Sequence, residues 1–194
     1  SKAVVYATTS SKNHGSKYIS PYTYSKVAGE DILNTYKYCF RVNCAMATFY
    51  NVYGPREILG AGDWRGTDST IWRNVVPTFI YRTLKNQKIV ANPNASRDFI
   101  YVKDLVFGIS LAKEKGESGS VYNLGSGNEV MISELAEKII KETGSQSKYE
   151  VNYNRSWDRS GRRVANMEKT RNEIGFMART SIDEGISETV NWFK

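Results

Sequence analysis

Ser20-Pro21-Tyr22-Thr23-Tyr24-Ser25-Lys26-Val27-Ala28-Gly29-Glu30-Asp31-Ile32-Leu33 is the stretch whose reading decides the fold. Ser20 and Pro21 read as a helix start, because proline is tolerated in a first turn where its missing N–H would be unpaired anyway. Tyr22 and Lys26 then lie four apart, so both side chains project from one helix face. A phenol ordinarily titrates near ~10, and an ammonium held beside one favours the phenolate. Such a pair has the makings of a general base. The spacing alone decides nothing, since Tyr81 and Lys85 share it. What precedes each pair separates them. Ahead of Tyr22 runs the apolar segment Ala3-Val4-Val5-Tyr6-Ala7, ending in Thr8-Thr9-Ser10-Ser11, whereas Tyr81 has no hydroxyl-rich strand end upstream. Open α/β sheets place their chemistry at such carboxyl ends of buried strands.

Outward from that helix, read as 22–38, the pattern continues as α/β. Val27, Ile32, Leu33 and Tyr36 are its candidate packing positions, with Glu30 and Asp31 facing water. Residues 42–50 read as a second strand, too apolar for one-sided exposure, and strand–helix–strand implies a right-handed parallel crossover. Gly54 to Ser69 has no apolar period and is long for a plain connection. A helix over 70–86, short strands at Lys88–Ala91 and Phe99–Val102, and a helix opening at Lys103 or Asp104 follow. Ile132, Leu135, Ala136, Ile139 and Ile140 keep the 3.6-residue period, with Ser133 at or near the N-cap and Gly144 at the C′ position. Tyr149–Tyr153 alternates like a strand, and Ser181-Ile182-Asp183-Glu184 has the form of a capping box for a last helix.

Composition bounds the chemistry. The 194 residues are 40% hydrophobic and 24% charged, ordinary for a globular chain that can bury a sizeable core. No apolar run approaches the ~18 residues of a membrane span. One histidine, His14, and two cysteines, Cys39 and Cys44, exclude histidine triads and multi-histidine metal centres, and no metal is expected. The free thiols fit a reducing cytoplasm. The net charge of +7 is dispersed except at Arg155 to Arg163. It suits anionic small molecules as well as it suits nucleic acid, and neither nucleic acid nor membrane is expected as a partner. A chain starting at Ser1 directly before a strand reads as the later part of a longer protein.

Several stretches in order give the chain a resemblance. They are Val5-Tyr6-Ala7-Thr8-Thr9-Ser10-Ser11, Pro21-Tyr22-x-x-Ser25-Lys26 with Glu30, and Phe49-Tyr50-Asn51-Val52-Tyr53-Gly54-Pro55-Arg56. Downstream follow Arg97-Asp98-Phe99-Ile100-Tyr101-Val102-Lys103-Asp104-Leu105 and Tyr122-Asn123-Leu124-Gly125-Ser126-Gly127. Together they resemble the extended short-chain dehydrogenase/reductase family, and within it the NAD-dependent nucleotide-sugar epimerases and dehydratases typified by UDP-glucose 4-epimerase. The family's glycine-rich dinucleotide fingerprint, which belongs on its first strand and helix, has no counterpart here.

The resemblance implies the C-terminal part of a doubly wound, Rossmann-type parallel sheet with a smaller α/β substrate domain. Residues 1–56 and 97–125 would complete the NAD-binding domain, and 57–96 and 126–194 would form the nucleotide-sugar domain. It implies Tyr22 as base, Lys26 as partner of the cofactor ribose and Thr9 as the hydroxyl on the sugar oxygen, with Thr8 and Ser10 as alternatives in an unusual loop. Phe49 would pack on the nicotinamide, a core phenylalanine being the plain alternative. Asn51, Asn74 and Val75 would meet the substrate, Lys88 to Val90 would bracket the base, and Arg97 would clamp the diphosphate through its fork of donors. A second arginine, Arg159 or Arg155, would join it.

Family dehydratases carry an Asp-Glu pair just after the hydroxyl, where Ser10-Ser11 stand here. A neutral serine cannot protonate a leaving hydroxyl in their place. The expectation is therefore NAD-dependent epimerisation of a nucleoside-diphosphate sugar, such as a UDP sugar, at C4 through a keto sugar, with a role in polysaccharide biosynthesis. A homodimer and a need for the missing N-terminal half are expected with it. A reductase, a dehydrogenase, a dehydratase and a non-catalytic nucleotide-sugar binder are the alternatives.

Overall fold

The computed structural model describes residues 4–14, 18, 20–57, 74–151 and 161–194. In chain order the elements are β1 (Val4–Thr9), α1 (Pro21–Phe40), β2 (Cys44–Phe49), β3 (Asn51–Tyr53), α2 (Val75–Leu84), β4 (Ile89–Ala91), β5 (Ser96–Arg97) and β6 (Phe99–Tyr101). Then come α3 (Val102–Lys115), β7 (Val121–Leu124), β8 (Val130–Met131), α4 (Ile132–Thr143), β9 (Tyr149–Val151), β10 (Arg162–Arg163), α5 (Glu168–Ile174) and α6 (Ile182–Phe193). The chain divides into two compact units. The first comprises 1–52, 97–129 and 162–179, and the second 53–96, 130–161 and 180–194.

In the first unit, β1, β2 and β7 form a parallel sheet in that order. Val4 stands opposite Cys44 and Thr9 opposite Phe49, while Met46 stands opposite Val121 and Phe49 opposite Leu124. The apolar run predicted for β2 is buried from Cys44 through Ala47, as a central parallel strand covered on both faces must be. Ile100, Leu105, Leu111, Ala112, Tyr122, Leu124, Ile174 and Phe176 complete the core. At Gly108 a Cβ would meet Leu124 at 2.9 Å and Phe176 at 3.0 Å, so glycine lets α3 come close to the sheet. Cys44 is buried and Cys39 exposed, both as free thiols.

Helix α1 starts where the sequence predicts. The Ser20 side chain caps it by accepting from the Thr23 N–H at 3.1 Å, and Pro21 fills the first turn. Its phase differs from the expectation. Ile32 and Tyr36, expected to pack, are 57% and 51% exposed, whereas the Glu30 side chain, expected in water, is only 14% exposed. Val27 and Leu33 are half-buried and Asp31 is exposed, as expected, and Thr23 is the buried residue of the helix. A Cβ at Gly29 would collide with the Tyr6 ring and hydroxyl, so this glycine sets the side that faces β1.

A second difference concerns residues 162–179. The sequence gives no helix there, but α5 forms, and Ile174 and Phe176 enter the first unit's core. Glu168-Lys-Thr-Arg-Asn-Glu carries no apolar period from which a helix could be read.

The second unit layers α4 against α2 and α6. Val76, Phe79 and Ile80 of α2, Leu135, Ala136 and Ile139 of α4, and Ile186 and Val190 of α6 are buried. β4 and β9 pair in parallel, Ile89 opposite Tyr149 and Ala91 opposite Val151. Gly144 ends α4 at φ 66°, a left-handed position that favours glycine. The predicted capping box is formed. Ser181 Oγ accepts from Glu184 N–H at 3.2 Å, and Glu184 Oε2 accepts from Ser181 N–H at 2.9 Å. The parts of the predicted helix before 74 and of the predicted strand after 151 lie outside the described residues.

Candidate active site

Helix α1 is hooked to the end of β1 by successive polar contacts. The Tyr6 hydroxyl donates to the Lys26 carbonyl at 3.4 Å, and the Lys26 ammonium donates to the Ala7 carbonyl at 3.1 Å. The Thr8 hydroxyl donates to Glu30 Oε1. Tyr22, Lys26 and Glu30 recur every four residues and share one face of α1, from which Lys26 and Glu30 reach the last residues of β1. Lys26 Nζ lies 5.3 Å from the centre of the Tyr6 ring and 6.0 Å from that of Tyr22, close enough for a cation to act on the phenol's ring. Tyr22 itself is 58% exposed, open to a reacting molecule.

Thr9 ends β1, and its Oγ1 accepts from the Ser11 N–H at 3.3 Å, which leaves its proton to donate. Thr8 has spent its proton on Glu30, and Thr9 and Ser10 are both buried. The sheet register sets Phe49 opposite Thr9, uniting residues forty apart in the chain. Phe49 is half-buried and packs against the core. Two residues on, Asn51 donates both its N–H and its side-chain amide to the Asp98 carbonyl, each at 3.0 Å.

Asp98 is the hub of this region and is fully buried. Its carboxylate accepts from Ser126 N–H and Ser126 Oγ, each at 2.7 Å, from Gly127 N–H at 2.9 Å and from Ala165 N–H at 3.1 Å. Four donors are what a buried anion without a partner cation needs. The same residue thus ties the Asn51 strand, the Gly125-Ser126-Gly127 turn and the segment at Ala165 to buried Arg97 next door. Sequence reasoning passed over Asp98 in favour of Arg97. The signal available was the acidic residue between Arg97 and an apolar strand.

The second unit holds the other group of predicted residues. Asn74 stands at the N-terminus of α2 but does not cap it with its side chain. Instead its side-chain amide donates to Glu57 Oε1, while its carbonyl accepts from the Thr78 hydroxyl at 2.6 Å. Burial pushes the Glu57 carboxyl up to about 7 from 4.5, against the opposite pull of the Asn74 amide. Its Oε2 is buried and has no partner among the described residues. Glu57 went unread because it follows the Gly-Pro-Arg turn and opens a long polar stretch. Val75 begins α2, and Val90 is half-buried on β4. Lys88, preceding β4, pairs with Glu150 on β9 in an ion pair 77% and 57% exposed. Arg155 and Arg159 lie outside the described residues.

A parallel sheet with hydroxyls at the end of β1, beside the helix that carries Tyr22 and Lys26, is a Rossmann-type arrangement. The chain belongs to the GDP-mannose 4,6 dehydratase family, whose family model it matches over residues 7–189. It is 43% identical to the Bordetella bronchiseptica enzyme WbmF, solved with NAD+ and UDP, covering 98% of this chain and 58% of that one with a TM-score of 0.84. It is 30% identical over 177 residues to a UDP-glucose 4-epimerase of Mycolicibacterium smegmatis, covering 90% of this chain and 53% of that one. With a dTDP-D-glucose 4,6-dehydratase of Mus musculus it shares 28% over 182 residues, covering 90% of this chain and 48% of that one. The chain therefore spans about half the length of the curated relatives it matches.

Proposed function

We propose that the complete protein is an NAD-dependent epimerase of a nucleoside-diphosphate sugar, acting at C4 through a transient keto sugar. The observation that carries this reading is Lys26, which reaches the Ala7 carbonyl near the end of β1 and lies 6.0 Å from the Tyr22 ring, with Thr9 two residues beyond Ala7 and Phe49 opposite Thr9 in register. The lysine spends one of its three N–H donors on the Ala7 carbonyl, so two remain for ribose hydroxyls. The chain thus suits the nicotinamide end of the dinucleotide, Phe49 offering an apolar face, and it carries no glycine-rich turn for the pyrophosphate. NAD, when bound, supplies the acceptor and donor of hydride.

The protein's own groups handle the proton. Tyr22 takes it from the sugar hydroxyl and later returns it, while the Thr9 hydroxyl donates to the same oxygen and holds it in place. Arg97 clamps the diphosphate with Arg159 or Arg155, and Asn51, Asn74, Val75 and the strand from Lys88 to Val90 hold the rest of the substrate. Epimerase is favoured over dehydratase because Ser10 and Ser11 offer no titrating group, the Ser11 N–H being turned to Thr9. Incubating the complete protein with NAD and a UDP-hexose tests this. The expected result is inversion at C4 with no net change in nicotinamide absorbance. A 6-deoxy-4-keto product, or stoichiometric reduced cofactor, would overturn it.

The isolated chain is proposed to be inactive and prone to associate. β1 is an edge strand among the described residues, with Val4 43% exposed, and such an edge invites pairing. The N-terminal half would cover it. The stripe Ile32, Tyr36 and Phe40 on α1, each more than half exposed, supports a homodimer of the complete protein. Supplying the N-terminal half should restore NAD binding and turnover, and micromolar NAD binding by residues 1–194 alone would refute that division of the site.

A further inference from the structure

One cluster at the end of β1 is not used by the chemistry above. Glu30 lies one turn beyond Lys26 on α1, and its Oε1 receives both the Thr8 hydroxyl and the Lys12 ammonium, the latter at 2.6 Å. The ion pair is shielded, with side chains only 19% and 14% exposed for Lys12 and Glu30. Shielding of this kind makes a pair costly to break from one side, because the remaining charge is left unpaired.

The position of this pair is informative. Two consecutive hydroxyls, Thr8 and Thr9, end β1, and Ser10 opens the short helical turn Ser10–His14 to which Lys12 belongs. Glu30 consumes the Thr8 proton and ties that turn to the helix carrying Tyr22 and Lys26. Thr9, between the two tethered residues, keeps a donor to spare. We infer that Glu30 is a positioning residue: by sequestering Thr8 and holding Lys12 it makes Thr9 the hydroxyl presented to the substrate oxygen. The inference rests on the proposed epimerase reading and adds the device that sets its geometry.

The test uses the complete protein with NAD and the UDP-hexose that it epimerises. Glu30→Gln keeps the size and one acceptor but loses the charge that holds Lys12. Losing a charge-assisted contact of this kind should lower kcat by ~10- to 100-fold, with KM and NAD affinity within ~2-fold of wild type. The separating readout is a double-mutant cycle with Thr9→Val. In wild type Thr9→Val should cost ~100-fold or more, and in the Glu30→Gln background that penalty should shrink by ~10-fold, since the Thr9 hydroxyl is no longer held in place. Glu30→Asp, which keeps the charge, should recover part of the lost kcat.

Strict additivity of the two substitutions would assign Glu30 a merely structural role and overturn the inference. So would a loss in Thr8→Val as deep as that in Thr9→Val. If Glu30→Gln turns over normally while Tyr22→Phe is inactive, the inference falls and the epimerase reading stands. If Tyr22→Phe is itself fully active, both fall.

Discussion

Tyr22–Lys26 and Tyr81–Lys85 present the same four-residue spacing on two helices, and the second pair is geometrically the closer. Lys85 Nζ lies 5.5 Å from its tyrosine ring centre, against 6.0 Å for Lys26. The difference lies in what each lysine reaches beyond the ring. Lys26 crosses to the Ala7 carbonyl at the end of β1, among the hydroxyls of Thr8 and Thr9. Lys85 is the exposed C-cap residue of α2, at the helix end remote from Asn74 and Glu57. A helical Tyr–Lys pair therefore becomes a candidate base only when a strand end delivers something for it to act on.

The largest expected effect breaks or keeps that comparison directly. If the complete protein is the epimerase proposed above, Tyr22→Phe should lower kcat by ~10²- to 10⁴-fold, the usual worth of a positioned acid–base group, with little change in substrate affinity. Tyr81→Phe should stay within ~2-fold of wild type. Steady-state kinetics on both variants decides it, and a reversed order would move the base to the second unit. Next, Lys26→Met should cost ~10- to 100-fold in turnover and weaken NAD binding, because it removes a charged donor. Lys85→Met should do neither.

Arg97→Ala sharpens the contrast by moving affinity instead of proton transfer. Removing a buried guanidinium that meets a diphosphate should weaken UDP-sugar binding by ~10- to 100-fold while NAD titrations are unaltered. Equal loss of both ligands would refute the diphosphate assignment. The last prediction concerns the other end of α2, at Glu57. With its folded value raised from 4.5 to about 7, Glu57 adds stability fully below 4.5 and loses it as pH rises through about 7. The unfolding free energy of wild type from urea titrations should fall across that window, by at most ~3 kcal/mol, and then level off. Glu57→Gln should lack this step, and an identical fall in both proteins would place the titration elsewhere.

The class of fold was legible in the residues because backbone and burial rules act locally. Ser20-Pro21 starts a helix wherever it stands, an unbroken apolar run from Cys44 to Ala47 must be covered on both sides, and Ser181 with Glu184 closes a capping box without outside help. Much of the candidate site was legible for a similar reason, since Tyr22, Lys26, Asn51 and Arg97 lie within short motifs whose order resembles a known family. Tertiary structure decided the rest. The phase of α1 depends on Gly29 clearing the Tyr6 ring, a contact between residues twenty-three apart, so no local pattern could show that Glu30 turns inward and Ile32 outward. That the Thr8 hydroxyl gives up its proton depends on Glu30, twenty-two residues away. The carboxyl groups of Asp98 and Glu57 are both taken out of water, yet one gathers four donors from distant turns and the other, among the described residues, only the Asn74 amide. Spacing along the chain determines which side chains can share a face, and only packing across the chain determines what that face meets.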